Sequence, residues 1–204
     1  MLPLLYPAIV AGAVGVSLAG YLALKSKVAG KKVVLMGPSG AGKSTLQDRL
    51  TSDQLALTEM GAVQETFDLG VSKKSFKDLG IEVTFVDSSG RISRVKEALD
   101  AAADADLLIF VVDVRALQRP RYQSLARSQA VVVTNRYPEK RKMLVLSHAD
   151  QALGDRPYQH EDLSAVPEHA EIAKLLGDED PTLVNLLSEK STEVVLRRVL
   201  GRLT

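Results

Sequence analysis

The chain has no cysteine and no tryptophan, and only five tyrosines and four phenylalanines among its 204 residues. Without cysteine there is no disulfide and no thiolate metal site, which agrees with a reducing, cytosolic setting. Scarce aromatics argue against a surface that stacks nucleic-acid bases, and a formal charge of +1 gives no whole-chain reason to expect a direct nucleic-acid partner. His160 and His169 are too far apart, with too little Asp or Glu around them, to read as a metal site. No internal repeat and no long low-complexity tract is present.

The first 24 residues lack charge. No Asp, Glu, Lys or Arg occurs from Met1 to Leu24. As a helix, Leu2 to Leu24 would extend about 35 Å at ~1.5 Å per residue, enough to cross a bilayer. Lys25, Lys27, Lys31 and Lys32 follow together, and the positive-inside bias assigns them to the cytosolic side, with the N-terminus lumenal or external. A cleaved signal peptide would start with basic residues and have a shorter apolar centre. A buried soluble helix would not be apolar on every face. Pro3 and Pro7 sit in the first turns, where they cost least, and Ala11, Ala13, Gly15 and Ser17 give a small-residue spacing suited to packing on another membrane helix. The expected organisation is an anchor over 1–24, a basic juxtamembrane linker over 25–31 and one domain over 32–204.

The apolar run Val33-Val34-Leu35-Met36 reads as a buried strand, and it leads into Gly37-Pro38-Ser39-Gly40-Ala41-Gly42-Lys43-Ser44-Thr45. This is a complete phosphate-binding loop. Its glycines let the backbone wrap a polyphosphate with N–H groups pointing inward, and the helix that follows adds its positive end. Lys43 is expected to reach the β- and γ-phosphates and the Ser44 hydroxyl to ligate Mg²⁺.

Beyond the loop, strand-like and helix-like segments alternate, the pattern of an α/β fold with a mostly parallel sheet covered on both faces. Strands are expected at Ala62–Leu69, Ile81–Val86, Leu107–Val112, Met143–Leu146 and Leu183–Leu187. The first two of these read as a hairpin through Lys73, Lys74 and Gly80. Helices are expected after the loop to Leu50, at Ile92–Ala103, at Glu168–Leu176 and at Thr192–Leu203. Arg121–Arg136 reads as at least partly helical, although Val131-Val132-Val133-Thr134 equally fits a short strand.

Ligands in such sheets bind at the carboxyl ends of the strands, so those ends are read as a set. Asp87-Ser88-Ser89-Gly90 follows the strand at Ile81–Val86. In a nucleotide switch such an Asp holds Mg²⁺ through water, and the amide of a Gly in the position of Gly90 reaches the γ-phosphate. The weaker alternative is a surface turn. Ser147-His148-Ala149-Asp150 follows Met143–Leu146. An Asp there accepts two hydrogen bonds from guanine that adenine cannot offer. The pattern is degraded, since His148 stands where a Lys stem would cover the loop and base, and Ser147 stands where an Asn amide is usual; an exposed Asp capping a turn is the alternative. Ser188-Glu189-Lys190 is the third segment, with backbone amides placed for the base O6 and Ser188 placed to brace Asp150. Thr58, with Thr66 in reserve, is the candidate switch threonine on Mg²⁺. Asp113 reads as a turn or cap residue, and the basic stretch from Arg115 to Lys142 as a solvated face.

Taken together, residues 32–204 resemble a Ras-like small GTPase, a P-loop NTPase three-layer fold, here preceded by one transmembrane helix. Within that superfamily, the anchor, the loop, Val86-Asp87-x-x-Gly90-Arg91 and Ile109-Phe110-Val111-Val112-Asp113 resemble the beta subunits of signal recognition particle receptors. The resemblance implies GTP/GDP and Mg²⁺ as ligands, a receptor alpha subunit as protein partner, the endoplasmic reticulum membrane as location, and the ribosome or translocon as indirect partners. Arg91 occupies the place of the Gln that usually orients the attacking water, and it cannot accept a hydrogen bond, so slow intrinsic hydrolysis is expected. A nucleotide kinase uses the same loop wording, but no Arg-rich acceptor-binding stretch closely follows the loop helix. A transporter-type ATPase would need a Leu-Ser-Gly-Gly-Gln-like signature, which the chain lacks.

Overall fold

The computed structural model describes residues 22–51, 79–85 and 99–204. Among these residues five parallel strands form one sheet: β1 (Lys32–Met36), β2 (Glu82–Phe85), β3 (Leu107–Asp113), β4 (Arg141–Ser147) and β5 (Thr182–Leu183), in the spatial order β2-β1-β3-β4-β5. The helices are α1 (Lys43–Thr51), α2 (Val114–Leu117), α3 (Pro120–Arg136), α4 (Ala149–Leu153), α5 (His169–Leu176) and α6 (Glu189–Leu203). Further helical residues lie at 22–28 and 99–103, and a 3-10 turn spans His160–Ala165.

Strand β3 shows why the sheet is covered on both faces. All seven of its residues are buried. Leu107, Ile109 and Val111 pack with Leu46 and Leu50 of α1 and with Val195, Leu196, Val199 and Leu200 of α6. Leu108, Phe110 and Val112 pack with Ala126, Ala130 and Val133 of α3 and with Ile172, Ala173 and Leu176 of α5. The side-chain period of two thus sends alternate residues into two separate cores, giving helix, sheet and helix layers.

One open alternative is settled and one element expectation needs correction. Val131 to Thr134 is helical, because the buried residues Ala126, Ala130 and Val133 recur at helical spacing while Val131 and Val132 face outward. Pro120 opens that helix at a position where its missing N–H costs nothing. The expected strand at Leu183–Leu187 is a two-residue strand, Thr182–Leu183, followed by a turn. Asn185 makes the turn: its side-chain oxygen accepts the Leu187 amide at 2.9 Å and its carbonyl accepts the Ser188 amide at 3.0 Å. These local bonds replace a ladder.

Among the described residues no helix is long and apolar enough to cross a membrane. The proposed anchor lies outside them up to residue 21, as do the expected strand at Ala62–Leu69 and the site candidates Thr58, Thr66, Asp87, Gly90 and Arg91.

Candidate nucleotide-binding site

Strand β1 has β2 on one side and β3 on the other, so the chain's progression across the sheet reverses beside it. That reversal opens a crevice at the strand's carboxyl end. The phosphate loop sits there. Gly37 has φ +127°, and a Cβ on it would lie 2.1 Å from the Val111 carbonyl oxygen of β3. Gly42 has φ +86°, and a Cβ there would meet Leu186 Cδ1 at 2.6 Å. Only glycine lets the loop pass between β3 and the turn after β5.

Lys43 is buried and its ammonium donates to the carbonyls of Gly37 at 2.9 Å and Pro38 at 2.7 Å, which places the charge across the mouth of the loop. Ser39 and Gly40 are exposed at the loop's crest, Pro38 and Ala41 are buried beneath it, and Thr45 is half-buried in the first turn of α1. Ser44, beside Lys43 in that turn, is exposed and offers a hydroxyl for a cation. The closed backbone cradle, the lysine and the free-facing hydroxyl are a donor set that fits a polyphosphate with its divalent ion.

The candidate base end is built by side chains. Ser147, the last residue of β4, is fully buried, and its hydroxyl donates to the Ala41 carbonyl at 2.8 Å, with the Val112 carbonyl a second acceptor at 3.2 Å. A short Ser therefore links the β4 end to the phosphate loop. His148 takes a left-handed backbone, φ 57° and ψ 32°, uncommon for a residue with a side chain. This turns its ring over the loop: Cε1 lies 3.6 Å from where a Gly42 Cβ would be. Its Nδ1 is 3.0 Å from Ser147 Oγ and 3.8 Å from Asp113 Oδ2. Because the Ser147 proton is directed at Ala41, the Nδ1–H tautomer satisfies this arrangement.

Asp150 lies in the first turn of α4, half-buried, and among the described residues nothing donates to its carboxylate. It faces a small charged network. Asp113 caps α2, accepting the Arg115 amide at 2.9 Å and the Arg115 guanidinium at 2.7 and 3.0 Å. Arg115 also donates to Gln151. Burial alone would raise the Asp113 carboxyl, but the hydrogen bonds and charge of Arg115, together with His148, hold it below the usual carboxylate range. Asp113 and, less strongly, Asp150 push the Arg115 guanidinium further up. Burial pushes the neighbouring Tyr122 phenol, whose oxygen accepts the Asp113 amide, up to about 12.

The structure brings the loop, Ser147, His148 and Asp150 to one strand-end surface. The Ser188 hydroxyl accepts the Ser191 amide and caps α6 rather than bonding Asp150, while Glu189 and Lys190 are exposed in the first turn of that helix. The residues closing this side are Asn185 and Leu186. Arg49 of α1 donates to the carbonyls of Leu186 at 3.1 Å and Leu187 at 3.4 Å, and Asn185 donates to Asp155 at 3.0 Å. Sequence reading missed these; an Asn inside an apolar run is the turn signal that would have found them.

A family model described as 50S ribosome-binding GTPase matches residues 32–148, from the first residue of β1 to the strand end carrying His148. The chain belongs to this GTPase family. No curated protein sequence matches it. Solved structures resemble this GTPase at the level of the fold. An ADP-ribosylation-factor-like GTP-binding protein, the small COPII coat GTPase SAR1 of Encephalitozoon cuniculi in complex with GDP, is 16% identical with a TM-score of 0.52, covering 98% of this chain and 92% of that one. Translation elongation factor SelB of Methanococcus maripaludis, bound to a GTP analogue, is 14% identical with a TM-score of 0.56, over 86% of this chain and 34% of that one. Era of Aquifex aeolicus, bound to GDP and aluminium fluoride, is 16% identical with a TM-score of 0.53, over 85% of this chain and 56% of that one.

Proposed function

We propose that this GTPase is a membrane-anchored, guanine-selective switch that binds GTP and GDP with Mg²⁺ and docks a protein partner. The observation that carries the reading is the Ser147–Ala41 bond. It couples the β4 end, with Asp150 one helical step beyond, to the loop that holds phosphate. One carboxylate, free of other donors among the described residues, is then positioned to accept the guanine N1 and amine protons. Lys43 leaves its backbone acceptors for the phosphates, and Ser44 supplies a Mg²⁺ ligand, completed by Asp87 and Thr58. The Asp87 to Arg91 segment reads the third phosphate, with Gly90 donating its amide. Arg91 in place of a water-orienting Gln makes intrinsic hydrolysis slow.

Within the family we favour the role of a signal recognition particle receptor beta subunit. The uncharged Met1–Leu24 segment, the lysines after it and the Asp113-terminated apolar strand support that reading. In it, the chain sits in the endoplasmic reticulum membrane with the GTPase domain facing the cytosol and grips the alpha subunit, which brings ribosomes to the translocon.

The test is competition binding of GTP, GDP and ATP with Mg²⁺ to the full chain in detergent, alongside Asp150→Asn. Guanine nucleotides should displace one another and ATP should not. Asp150→Asn should weaken GTP by roughly 10- to 100-fold and improve xanthine nucleotides, the size expected when a buried polar pairing is mismatched. Equal competition by ATP would remove the base-reading role of Asp150 and with it the guanine switch.

A further inference from the structure

The end of the sheet opposite the phosphate loop carries a second site. There the N-terminal ends of β1, β3 and β4 meet the last turn of α6 around a cleft of about 510 Å³. Its cations are Lys27, Lys31, Arg141 and Arg202, and among the described residues the only carboxylate side chain lining it is Asp106. Asp106 is already committed, to the Lys31 ammonium at 2.8 Å and the Lys32 amide at 2.8 Å. Burial would raise its carboxyl, but these bonds and the charges of Lys31 and Lys140 hold it below the usual range, so it stays ionised and spends its charge locally. Arg202 spends part of its guanidinium on buried Asp178 at 2.5 Å and on the Lys142 carbonyl at 2.8 Å. Lys27 and Arg141 are exposed and meet no carboxylate among the described residues. With Lys31 paired to Asp106 and Arg202 to Asp178, Lys27 and Arg141 leave the cleft positive, even with a carboxylate at Thr204.

We propose that this cleft seats anionic phospholipid headgroups. Lys27 follows the uncharged Met1–Leu24 segment by three residues, and the helical residues 22–28 bring that segment's end to the same pole. The inference therefore rests on the anchor reading: lipid is the polyanion that the anchor holds beside the cleft at high local concentration. Strand β1 then stands away from the bilayer. Its five residues, at ~3.3 Å each, separate the lipid seat from the phosphate loop by roughly 17 Å. The membrane holds one pole of the domain and leaves the nucleotide pole facing a partner.

The chain's lack of cysteine permits one reporter. Gly201, exposed beside Arg202, has nothing within 4 Å of an added Cβ, so Gly201→Cys carries a fluorophore without disturbing the core. The full chain is placed in phosphatidylcholine nanodiscs with or without phosphatidylserine, and quenching by acrylamide is read. Phosphatidylserine should protect the reporter, and added salt should reverse the protection. Lys27→Glu and, separately, Arg141→Gln should each lower the docked fraction ratio about fivefold or more while leaving nucleotide binding intact as the fold control. Equal quenching in both disc types, or protection that survives both substitutions, overturns the proposal. Protection in neutral discs by glycerophosphoserine or inorganic phosphate alone also overturns it, in favour of a free-anion site. Failure to enter neutral discs would instead sink the anchor reading. Protection by anionic discs that Lys27→Glu abolishes would still support the lipid seat.

Discussion

The phosphate end and the candidate base end of the nucleotide crevice are held by different means. At the phosphate end backbone geometry decides: Gly37 lies against the Val111 carbonyl, where no Cβ fits, and Gly42 holds a left-handed backbone, φ +86°, beside Leu186. At the base end, side chains from distant segments do the holding, through Ser147 to Ala41, Arg49 to Leu186 and Asn185 to Asp155. Sterics of the first kind tolerate no substitution, whereas hydrogen bonds of the second kind accept any donor of suitable reach. That difference explains how Ser-His-Ala-Asp stands where Asn-Lys-x-Asp is usual while the loop wording is intact.

The sharpest way to break this contrast is to put a methyl group on the loop. Gly37→Ala is expected to cost about 3 kcal/mol or more, since its Cβ would enter the Val111 carbonyl and the positive φ adds strain. A thermal melt should fall by roughly 6–12 °C, with nucleotide binding lost. Gly40→Ala, with φ +77° and open space around the added Cβ, should cost only about 1–2 kcal/mol. Equal losses at the two positions would mean that sterics do not set the phosphate end.

A smaller effect is expected at the base end. Ser147→Ala removes one buried hydroxyl and leaves the Ala41 carbonyl without that donor, at a cost of about 1–2 kcal/mol in denaturant unfolding. Ser147→Asn should recover GTP affinity lost by Ser147→Ala, because an amide spans the same gap. If the alanine variant binds GTP as tightly as the parent, the two ends are not coupled.

The smallest effect is electrostatic. The folded Asp113 carboxyl titrates below its ordinary value of 3.8, so its contribution to stability is present above that value and is lost as pH falls through the depressed one. Asp113→Asn should therefore lower Tm modestly near neutrality and close that gap as pH falls below about 4, which flattens the acid limb of Tm against pH. An acid limb unchanged by the substitution would detach the cap from the base-end network.

How far the site was legible in the sequence follows the same division. The phosphate loop requires glycines, a lysine and a hydroxyl within nine consecutive residues, so its chemistry is written locally, and β3 and β4 announce themselves as buried runs. The cap role of Asp113 was also readable, since an Asp ending an apolar strand is a common N-cap. What was not readable depended on partners far away in the chain. Nothing near Ser147 says that its hydroxyl will find Ala41, 106 residues earlier. Nor does Ser188 announce that it will cap α6, because Asn185 had first to end β5 early. The three valines at 131–133 favour a strand by local propensity, and the sheet-facing stripe of Ala126, Ala130 and Val133 overrides it.

The separation of Ala41 from Ser147 also sets a schedule. At ~5–20 residues per second of synthesis, about 5–20 s pass between the two residues entering the chain. For most of that interval a nascent chain has its phosphate loop but not the β3 carbonyl that Gly37 abuts, and throughout it lacks the hydroxyl that ties Ala41 down. A chain able to hold guanine nucleotide tightly is thus one whose translation has already passed β4, so nucleotide capture doubles as a timestamp for synthesis through that strand.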